Sequence, residues 1–490
     1  MKPSISASRV AGLFFPQSRD LGIDLASASP ELQRVVVTFG ADCSSFYAAR
    51  DALWTARRLE MVPKEIERIC HRLGQEREAE QQALVDRFEA LPLAEKEAAP
   101  PKIGFIPQVA VVQGDGGRFQ QRLWDEAEES TSSDRENPEA LAEGDRPSDM
   151  KERAPAAEIA DVASPADAET HEKADETEGQ QERKGCWRED KNGVLLTYHS
   201  AVHESDPAPQ IPEGFLNIAA MGTLSQEIKN ARQPEPGQTF GAESEEAESN
   251  DEGPPSAAAT YAAHRPELVG KQVIATVQNM SLFGLLLAAH AWIRGFFAAE
   301  RRAFLGDGLP ANWTLWRTRF PTFTPILDYI HLLTYVYPAA FAGQTREAGT
   351  RVYRTWIQWA WSGRVDELIA ALEKRLAELP PVVKGDKTSP QAVVFATLRY
   401  IRNNRTRMNY PEYRRLGLPI TTSAIESTVK QINYRVKGTE KFWSQLGIEA
   451  MLRLRSSLLS DFDTLDDYLA RRESNATGMR NYRPRPTIAA

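Results

Sequence analysis

Several features that would fix a compartment are missing from this chain of 490 residues. It has no run of about 20 apolar residues, so no membrane span is expected. The N-terminus has no charged region followed by a long apolar one, which argues against a secretory signal. The three cysteines, Cys43, Cys70 and Cys186, form no Cys-x-x-Cys pair. They therefore argue against a zinc finger and favour a reducing, cytoplasmic location.

An overall positive charge, common in nucleic-acid-binding proteins, is also absent, since the net charge is −9. The acidity is local: residues 125–182 hold 20 acids and 5 bases, and residues 235–252 hold 7 acids and no base. The remainder sums to +13. We predict that the low-complexity stretches 125–182 and 233–260 are disordered, because they have few large apolar residues. The rest then presents either a basic, DNA-binding face or a merely solvated basic surface.

Residues 1–98 are predicted to be helical. One helix begins after the N-cap Ser29, a second covers Phe46 to Arg58, and a third begins at Pro63 and ends at Gly74. The third helix carries Arg68 and Arg72, which would contact DNA if the last two helices form a helix-turn-helix. A plain helical bundle is the alternative.

The remaining pattern predicts a mixed α/β core interrupted by helices. Residues 103–330 would form its first part, 331–410 an all-helical insertion, 411–470 its last part and 471–490 a tail. In the first part we expect a hairpin over residues 109–123 with a Gly-rich corner, a strand from Cys186 to His199, a helix from Leu282 capped by Ser281, and short strands at 302–306 and 323–328.

Three acids lie where catalytic groups are often placed. Asp115 and Asp307 each follow an apolar strand in an Asp-Gly pair, and Glu426 opens a helix. Each also has a structural interpretation, since Asp-Gly favours turns and the Ser423–Glu426 spacing fits a capping box. Carboxylates gathered at one place repel each other, whereas Mg²⁺ binds several of them. A site built from all three would bind Mg²⁺ or Mn²⁺ and act on phosphodiesters.

The helix that opens at Glu426 has a polar stripe beside its apolar one. Lys430, Asn433 and Lys437 share the stripe with Glu426, and Lys441 follows. These residues are candidate contacts to a DNA backbone. Trp443 would either stack on an unpaired base or lie in the core.

From about residue 30 to 470, apart from the two acidic inserts, the chain resembles bacterial insertion-sequence transposases of the DDE type, close to the ISKra group and the wider Mutator-like branch. The resemblance rests on these segments: Val111–Arg118, Trp187–Lys191, Asp206-Pro207, Gly306–Trp313, Phe320–His331, Arg405–Tyr410 and, most specifically, Pro419–Trp443. It implies an RNase H-like mixed-sheet core with a helical insertion, and Asp115, Asp307 and Glu426 as the metal-binding triad. It also implies element-end and target DNA as double-stranded partners, and a homo-oligomer.

Two points depart from that family's pattern. The branch often has Cys-x-x-His after the second acid, where this chain has Asp328-x-x-His331. That pair either contacts DNA or caps a helix. The long insert after Asp115 leaves Asp190 and Asp206 as alternative metal ligands. The expected function is a transposase that cuts DNA and joins the freed 3′ end to a target; the alternatives are a catalytically silent DNA-binding regulator and a structure-selective nuclease.

Overall fold

The structure is a computed structural model that describes residues 13–14, 29–98, 100, 105–122, 185–232, 266–381, 386, 388–438, 441–474 and 479–480. Both predicted acidic inserts lie outside these residues, as does most of the predicted tail. The chain divides into two units, residues 1–121 with 187–490, and residues 122–186. Most of the second unit lies outside the described residues. Across the described part of the chain, no helix combines the length and the apolar character that crossing a bilayer requires.

A six-stranded mixed sheet forms the centre of the fold, and the chain is α/β as predicted. Its strands are β1 (Val109–Arg122), β2 (Gly185–His199), β3 (Glu267–Thr276), β4 (Arg301–Gly306), β5 (Thr324–Leu327) and β6 (Phe442–Trp443). Five of them lie in the order β3-β2-β1-β4-β5, and β6 pairs with the far end of β1. Strands β1, β4 and β5 are parallel to each other, while β2 and β3 are antiparallel.

Helices surround and interrupt this sheet. The helices that precede β5 in the chain are α1 (Pro30–Asp42), α2 (Phe46–Arg57), α3 (Pro63–Glu89), α4 (Leu93–Lys96), α5 (Glu213–Leu216), α6 (Ile218–Arg232), α7 (Met280–Ile293) and α8 (Pro310–Arg319). After β5 come α9 (Tyr329–Phe341), α10 (Arg346–Trp361), α11 (Val365–Glu378), α12 (Pro390–Asn404) and α13 (Tyr410–Arg415), then α14 (Ser423–Val436), α15 (Gln445–Leu458) and α16 (Leu465–Ser474). A separate antiparallel pair joins Leu13–Phe14 to Met479–Arg480.

The hairpin predicted over residues 109–123 is wrong, because β1 runs unbroken through the Gly-rich stretch. Its glycines serve close packing and not a turn. A Cβ on Gly117 would lie 2.5 Å from the Asp190 carboxylate, and one on Gly116 would lie 2.7 Å from that of Glu189. None of the three glycines Gly114, Gly116 and Gly117 is among those with a positive φ. Asp115 therefore lies within a strand, beside β4 and β2.

Two predicted helix boundaries are also wrong. Helix α3 does not end at Gly74 but continues to Glu89, because Gly74 packs against α15, where a Cβ would lie 2.4 Å from the Ala450 carbonyl oxygen. The cap of α7 is Asn279, whose side chain accepts a hydrogen bond from the backbone N–H of Leu282, and not Ser281. The N-cap Ser29 is confirmed.

The N-terminal helices share a core with the helix that carries Glu426. Buried side chains of α1 to α3, such as Val37 and Leu73, cluster with Ile432 of α14 and Ile448 of α15. Arg435, near the end of α14, is buried there. Its Nε donates to the Gly40 carbonyl oxygen at 2.9 Å, and its guanidinium lies over the rings of Phe46 and Trp443 at 4.4 and 5.1 Å. The N-terminal residues therefore pack directly on α14.

Candidate metal centre

Helix α14, which carries Glu426, is held at its start by residues from elsewhere in the fold. Gln113 of β1, fully buried, donates from Nε2 to the Thr421 carbonyl oxygen and accepts from the Ile425 backbone N–H, both at 3.2 Å. The backbone N–H of Thr422 donates to Asp328 at 2.8 Å. These bonds satisfy polar groups that a helix start leaves without intrahelical partners. They fix the position of Glu426 relative to β1 and β5.

The capping box proposed as the structural role of Glu426 does not form. Helix α14 begins at Ser423, so that Ser423 is its first helical residue and Thr422 is the N-cap, without a side-chain capping bond. Glu426 instead accepts a long hydrogen bond of 3.4 Å from the Thr422 hydroxyl. Its carboxylate is therefore available for another role.

Asp328 and His331 form a buried pair next to Glu426. Asp328 follows β5 and is the N-cap of α9, accepting from the His331 backbone N–H at 2.7 Å, so the predicted capping role is confirmed. The same carboxylate oxygen is 2.6 Å from His331 Nδ1. His331 Nδ1 is in turn 3.8 Å from Glu426 Oε1. The imidazole thus lies between two carboxylates.

Asp328, His331 and Glu426 could hold a metal ion, since one ligand atom from each lies within 4.8 Å of the others. The 2.6 Å separation in the Asp328–His331 pair has the length of a hydrogen bond. If Asp328 Oδ2 and His331 Nδ1 were both ligands of one metal ion, they would subtend an angle of only about 76° at a metal 2.1 Å from each, less than an octahedral site requires. In this arrangement Asp328 orients His331, and Glu426 offers the more accessible oxygen.

The charge of Asp115 also acts on Glu426. Burial, the charge of Asp328 and the charge of Asp115 raise the pKa of the Glu426 carboxyl, while His331 and the Thr422 hydrogen bond lower it. A raised pKa means that the charged form is disfavoured where the carboxylates gather. A divalent cation would reverse that preference. The donor set of carboxylate oxygens therefore fits a hard cation such as Mg²⁺.

Asp307 follows β4, the strand next to β1. The pairing of Gln113 with Leu305, continued for two residues, would place Asp115 beside Asp307. Asp307 is almost buried, and its carboxylate accepts from the Asn312 amide at 2.9 Å and from the Leu309 backbone N–H at 3.0 Å. Asn312 also lies near β1, since its Oδ1 is 3.9 Å from where a Cβ of Gly114 would be.

The predicted acids are thus brought to neighbouring positions but do not form a single group of metal ligands. Asp115 and Asp307 are not members of the group formed by Asp328, His331 and Glu426. Of the alternative ligands, Asp206 is bound by both Nε and an amino group of Arg414, which gives it a structural role. Asp190 is buried in β2 and accepts from the Asn192 amide at 2.7 Å.

The residues predicted to contact DNA differ in their surroundings. Lys430 is exposed on α14, Lys437 is exposed at the C-cap of that helix, and Asn433 is half-buried. The ammonium of Lys441 instead donates to the carbonyl oxygens of Tyr434 and Arg435 near the end of α14, at 2.9 and 3.4 Å. Burial, and the charge of Arg435, lower the pKa of Lys441 to about 8. Its contact with DNA stays a prediction, and the bonds described here give it a role in closing the helix.

The other candidates also have partners within the chain. The side chain of Trp443 is buried and donates to the Val436 carbonyl oxygen at 2.9 Å, so its core role is confirmed. Arg68 is exposed and pairs with Glu65 at 2.6 Å. Arg72 is half-buried, and burial lowers its pKa. DNA binding by Arg68, Arg72 and His331 stays a prediction.

Two polar residues of this site were not predicted from the sequence. Gln113 is a polar side chain at the end of the apolar run in β1, two residues before Asp115. Asn312 lies in the first turn of α8, five residues after Asp307. Each residue is close in sequence to a predicted acid. That closeness is the one feature of the sequence that points to a role in the site. Comparisons of the chain with protein-family models, curated proteins and solved structures found no match.

Proposed function

We propose that this protein is a DDE-type transposase, which binds the ends of a DNA element, cuts a phosphodiester and joins the freed 3′-hydroxyl to target DNA. The observation that carries the proposal is the gathering of carboxylates at one end of the parallel strands. Asp115, Asp307, Asp328 and Glu426 come from β1, from the ends of β4 and β5, and from α14. Like charges are brought together there at a cost that a divalent cation offsets.

The architecture supports an RNase H-like core. The strand order β3-β2-β1-β4-β5 combines one antiparallel pair, β2 with β3, and three parallel strands in a single sheet. The helical block α9 to α13 interrupts the chain between β5 and α14. The family resemblance implies such an insertion before the last acid.

Each residue of the site has a specific task in this proposal. Asp115, Asp307 and Glu426 would hold Mg²⁺ or Mn²⁺, which when bound activates a water or a 3′-hydroxyl and stabilises the leaving oxygen. Asn312 orients the Asp307 carboxylate through its 2.9 Å hydrogen bond. Asp328 orients the His331 ring beside Glu426. Gln113 fixes the start of α14, so that Glu426 does not move away from its neighbours.

The test is metal-dependent cleavage of supercoiled plasmid DNA by the full chain, compared with Asp307→Asn. We expect nicked and joined products with Mg²⁺ for the natural chain and none for the variant, while both retain DNA binding. Asp51→Asn is a matched control, because Asp51 lies on the exposed side of α2 and pairs with Arg50. Cleavage by Asp307→Asn at the natural rate would contradict the assignment.

The products also separate the alternatives. Cuts without joined molecules would indicate a nuclease. DNA binding without any metal-dependent product would indicate a regulator.

A further inference from the structure

Arg407 lies over a pair of indole rings, and a second arginine, Arg317, is on the helix that carries those rings. The guanidinium of Arg407 lies 4.4 Å from the centre of the Trp313 ring and 5.9 Å from that of Trp316. Arg317 follows Trp316 on the same helix, α8, and is exposed. It is close enough to Arg407 that its charge, together with burial, lowers the pKa of the Arg407 guanidinium. Two positive charges are therefore held near each other.

No carboxylate compensates these charges among the described residues. Arg407 donates to the Asn403 carbonyl oxygen at 2.9 Å and to Asn404 Oδ1 at 3.2 Å, and Arg317 donates to the Thr314 hydroxyl at 3.2 Å. The nearby Arg402 and Arg405 differ, since they pair with Glu373 and Asp366. A close pair of uncompensated guanidinium groups is unfavourable unless an anion lies between them.

Two buried donor groups, one on Arg407 and one on the Trp313 ring under it, also lack acceptors among the described residues. Arg407 Nε and Trp313 Nε1 are buried, and neither has a hydrogen-bond partner in the part of the chain that the structure describes. A buried donor without an acceptor costs free energy, which a ligand oxygen recovers if a small shift of the side chain exposes the donor. This region therefore has both unbalanced charge and unused hydrogen-bonding capacity.

Arg407 lies over a ring that packs against the residue before Asp307. A Cβ on Gly306, the residue before Asp307, would be 3.1 Å from the Trp313 ring, and Arg407 lies over that same ring. Tyr400, on α12, donates its hydroxyl to the Asp307 backbone carbonyl at 2.8 Å. The Trp313 ring thus connects the end of β4, where Asp307 begins, to the arginine pair.

We propose that Arg407 and Arg317 form a binding site for a backbone phosphate of the DNA strand that enters the metal centre beside Asp307. Guanidinium groups bind phosphate through paired, charge-assisted hydrogen bonds, and stacking on Trp313 pre-orients Arg407 for this contact. The site positions the strand and reads no sequence. The identification of the phosphate as part of DNA rests on the proposed function; the anion site itself does not.

The test measures binding of a short fluorescein-labelled DNA duplex of mixed sequence to the full chain, by fluorescence anisotropy, without divalent metal and over a series of salt concentrations. We expect Arg407→Gln and Arg317→Gln each to weaken binding by roughly tenfold. Each should also reduce the slope of log affinity against log salt by about 0.9, the value for one phosphate contact. Arg405→Gln is the matched control, because it removes a charge from the same segment that Asp366 already compensates.

Arg407→Lys separates a binding role from a folding role. This variant keeps the charge, so most of the salt dependence should remain, while the paired hydrogen bonds are lost and affinity falls. Melting temperatures of all variants identify any that unfold. If Arg407→Gln does unfold, Arg317→Gln alone decides, since Arg317 is exposed and its side chain bonds only to Thr314 among the bonds described.

The binding test and the cleavage test can fail independently of each other. Loss of binding in both glutamine variants, with no metal-dependent cleavage by the natural chain, would support the phosphate site and reject the transposase. Binding by Arg407→Gln and Arg317→Gln equal to that of Arg405→Gln would overturn the phosphate site, even if cleavage is observed. Failure of the natural chain to bind the duplex would overturn it as well.

Discussion

Replacing Glu426 by glutamine should make the metal-free protein more stable. One carboxylate oxygen of Glu426 lies within 4.8 Å of one of Asp328. Two unit charges at that separation repel by about 3 kcal/mol at an effective dielectric of about 20. The Glu426 side chain is 30% exposed, so solvent screening reduces this energy, and we expect a net gain of about 1–2 kcal/mol. For a chain of this length that corresponds to a rise in melting temperature of roughly 1–2 °C.

The gain should depend on pH in a defined direction. Because the pKa of Glu426 is raised in the folded protein, the folded state binds its proton more readily than the unfolded state. The ionised carboxylate is therefore destabilising above the folded pKa, and this cost disappears as the pH falls through it. The advantage of Glu426→Gln should be full at pH about 8 and should vanish in acid, where the natural residue is neutral as well.

The assay is differential scanning calorimetry of both proteins with and without Mg²⁺. Magnesium should raise the melting temperature of the natural protein and have little effect on Glu426→Gln, because a ligand is lost. Glu412→Gln is a control of opposite sign, since Glu412 is paired with Arg415, which holds the pKa of that carboxyl below its usual value. A melting temperature of Glu426→Gln at or below that of the natural protein, in metal-free buffer at pH about 8, would refute the reasoning.

Two further predictions concern packing and the alternative ligand. Gly74→Ala should destabilise the protein by about 1–3 kcal/mol, because the new Cβ would lie 2.4 Å from the Ala450 carbonyl oxygen; thermal denaturation measures this, and an unchanged melting temperature would contradict the close contact. Asp206→Asn should cost about 3–5 kcal/mol by leaving buried Arg414 unpaired. The folded fraction should nevertheless keep the magnesium-dependent cleavage that the proposed function requires, and loss of that cleavage would indicate that Asp206 binds metal.

Local rules predicted the starts of two helices correctly, whereas the cap of α7 was misplaced by two residues. Ser29 caps α1 and Asp328 caps α9, because each hydroxyl or carboxylate needs only a nearby backbone N–H. The apolar runs of β1 and β4 were likewise found from their length and composition. Mixed α/β architecture follows from such patterns, since the periodicity of the apolar residues fixes most elements.

Glycine was misread where its role depends on distant residues. The sequence pattern around Gly114 to Gly117 fits a turn. In the structure, the side chains of Glu189 and Asp190 on the neighbouring strand leave no room for a Cβ at Gly116 and Gly117. Gly74 fits a helix end in the sequence. It lies within α3 instead, because α15 packs so closely that a Cβ at this position would clash with Ala450. No local pattern reveals a contact made by a segment that is distant in the sequence.

In the candidate site, too, local features could be predicted from the sequence and tertiary contacts could not. The three acids were identified by residue type and placement, but their mutual arrangement depends on tertiary hydrogen bonds. Gln113 joins β1 to α14 across 312 positions of sequence, as the separation of Gln113 and Ile425 shows. The capping interpretation of Glu426 failed because Thr422, and not Ser423, is the N-cap. That difference of one residue is within the usual uncertainty of helix boundaries.

Helix α14 is anchored at both ends to different parts of the fold. Its first turn is bonded to Gln113 and Asp328, and its last turn holds Arg435 against Phe46 and the Gly40 carbonyl oxygen. The ten residues from Glu426 to Arg435 span about 13.5 Å of continuous helix. A displacement of the N-terminal helices would therefore strain the hydrogen bonds that hold Glu426 in place. The position of Glu426 thus depends on how the N-terminal helices pack against the far end of the same helix.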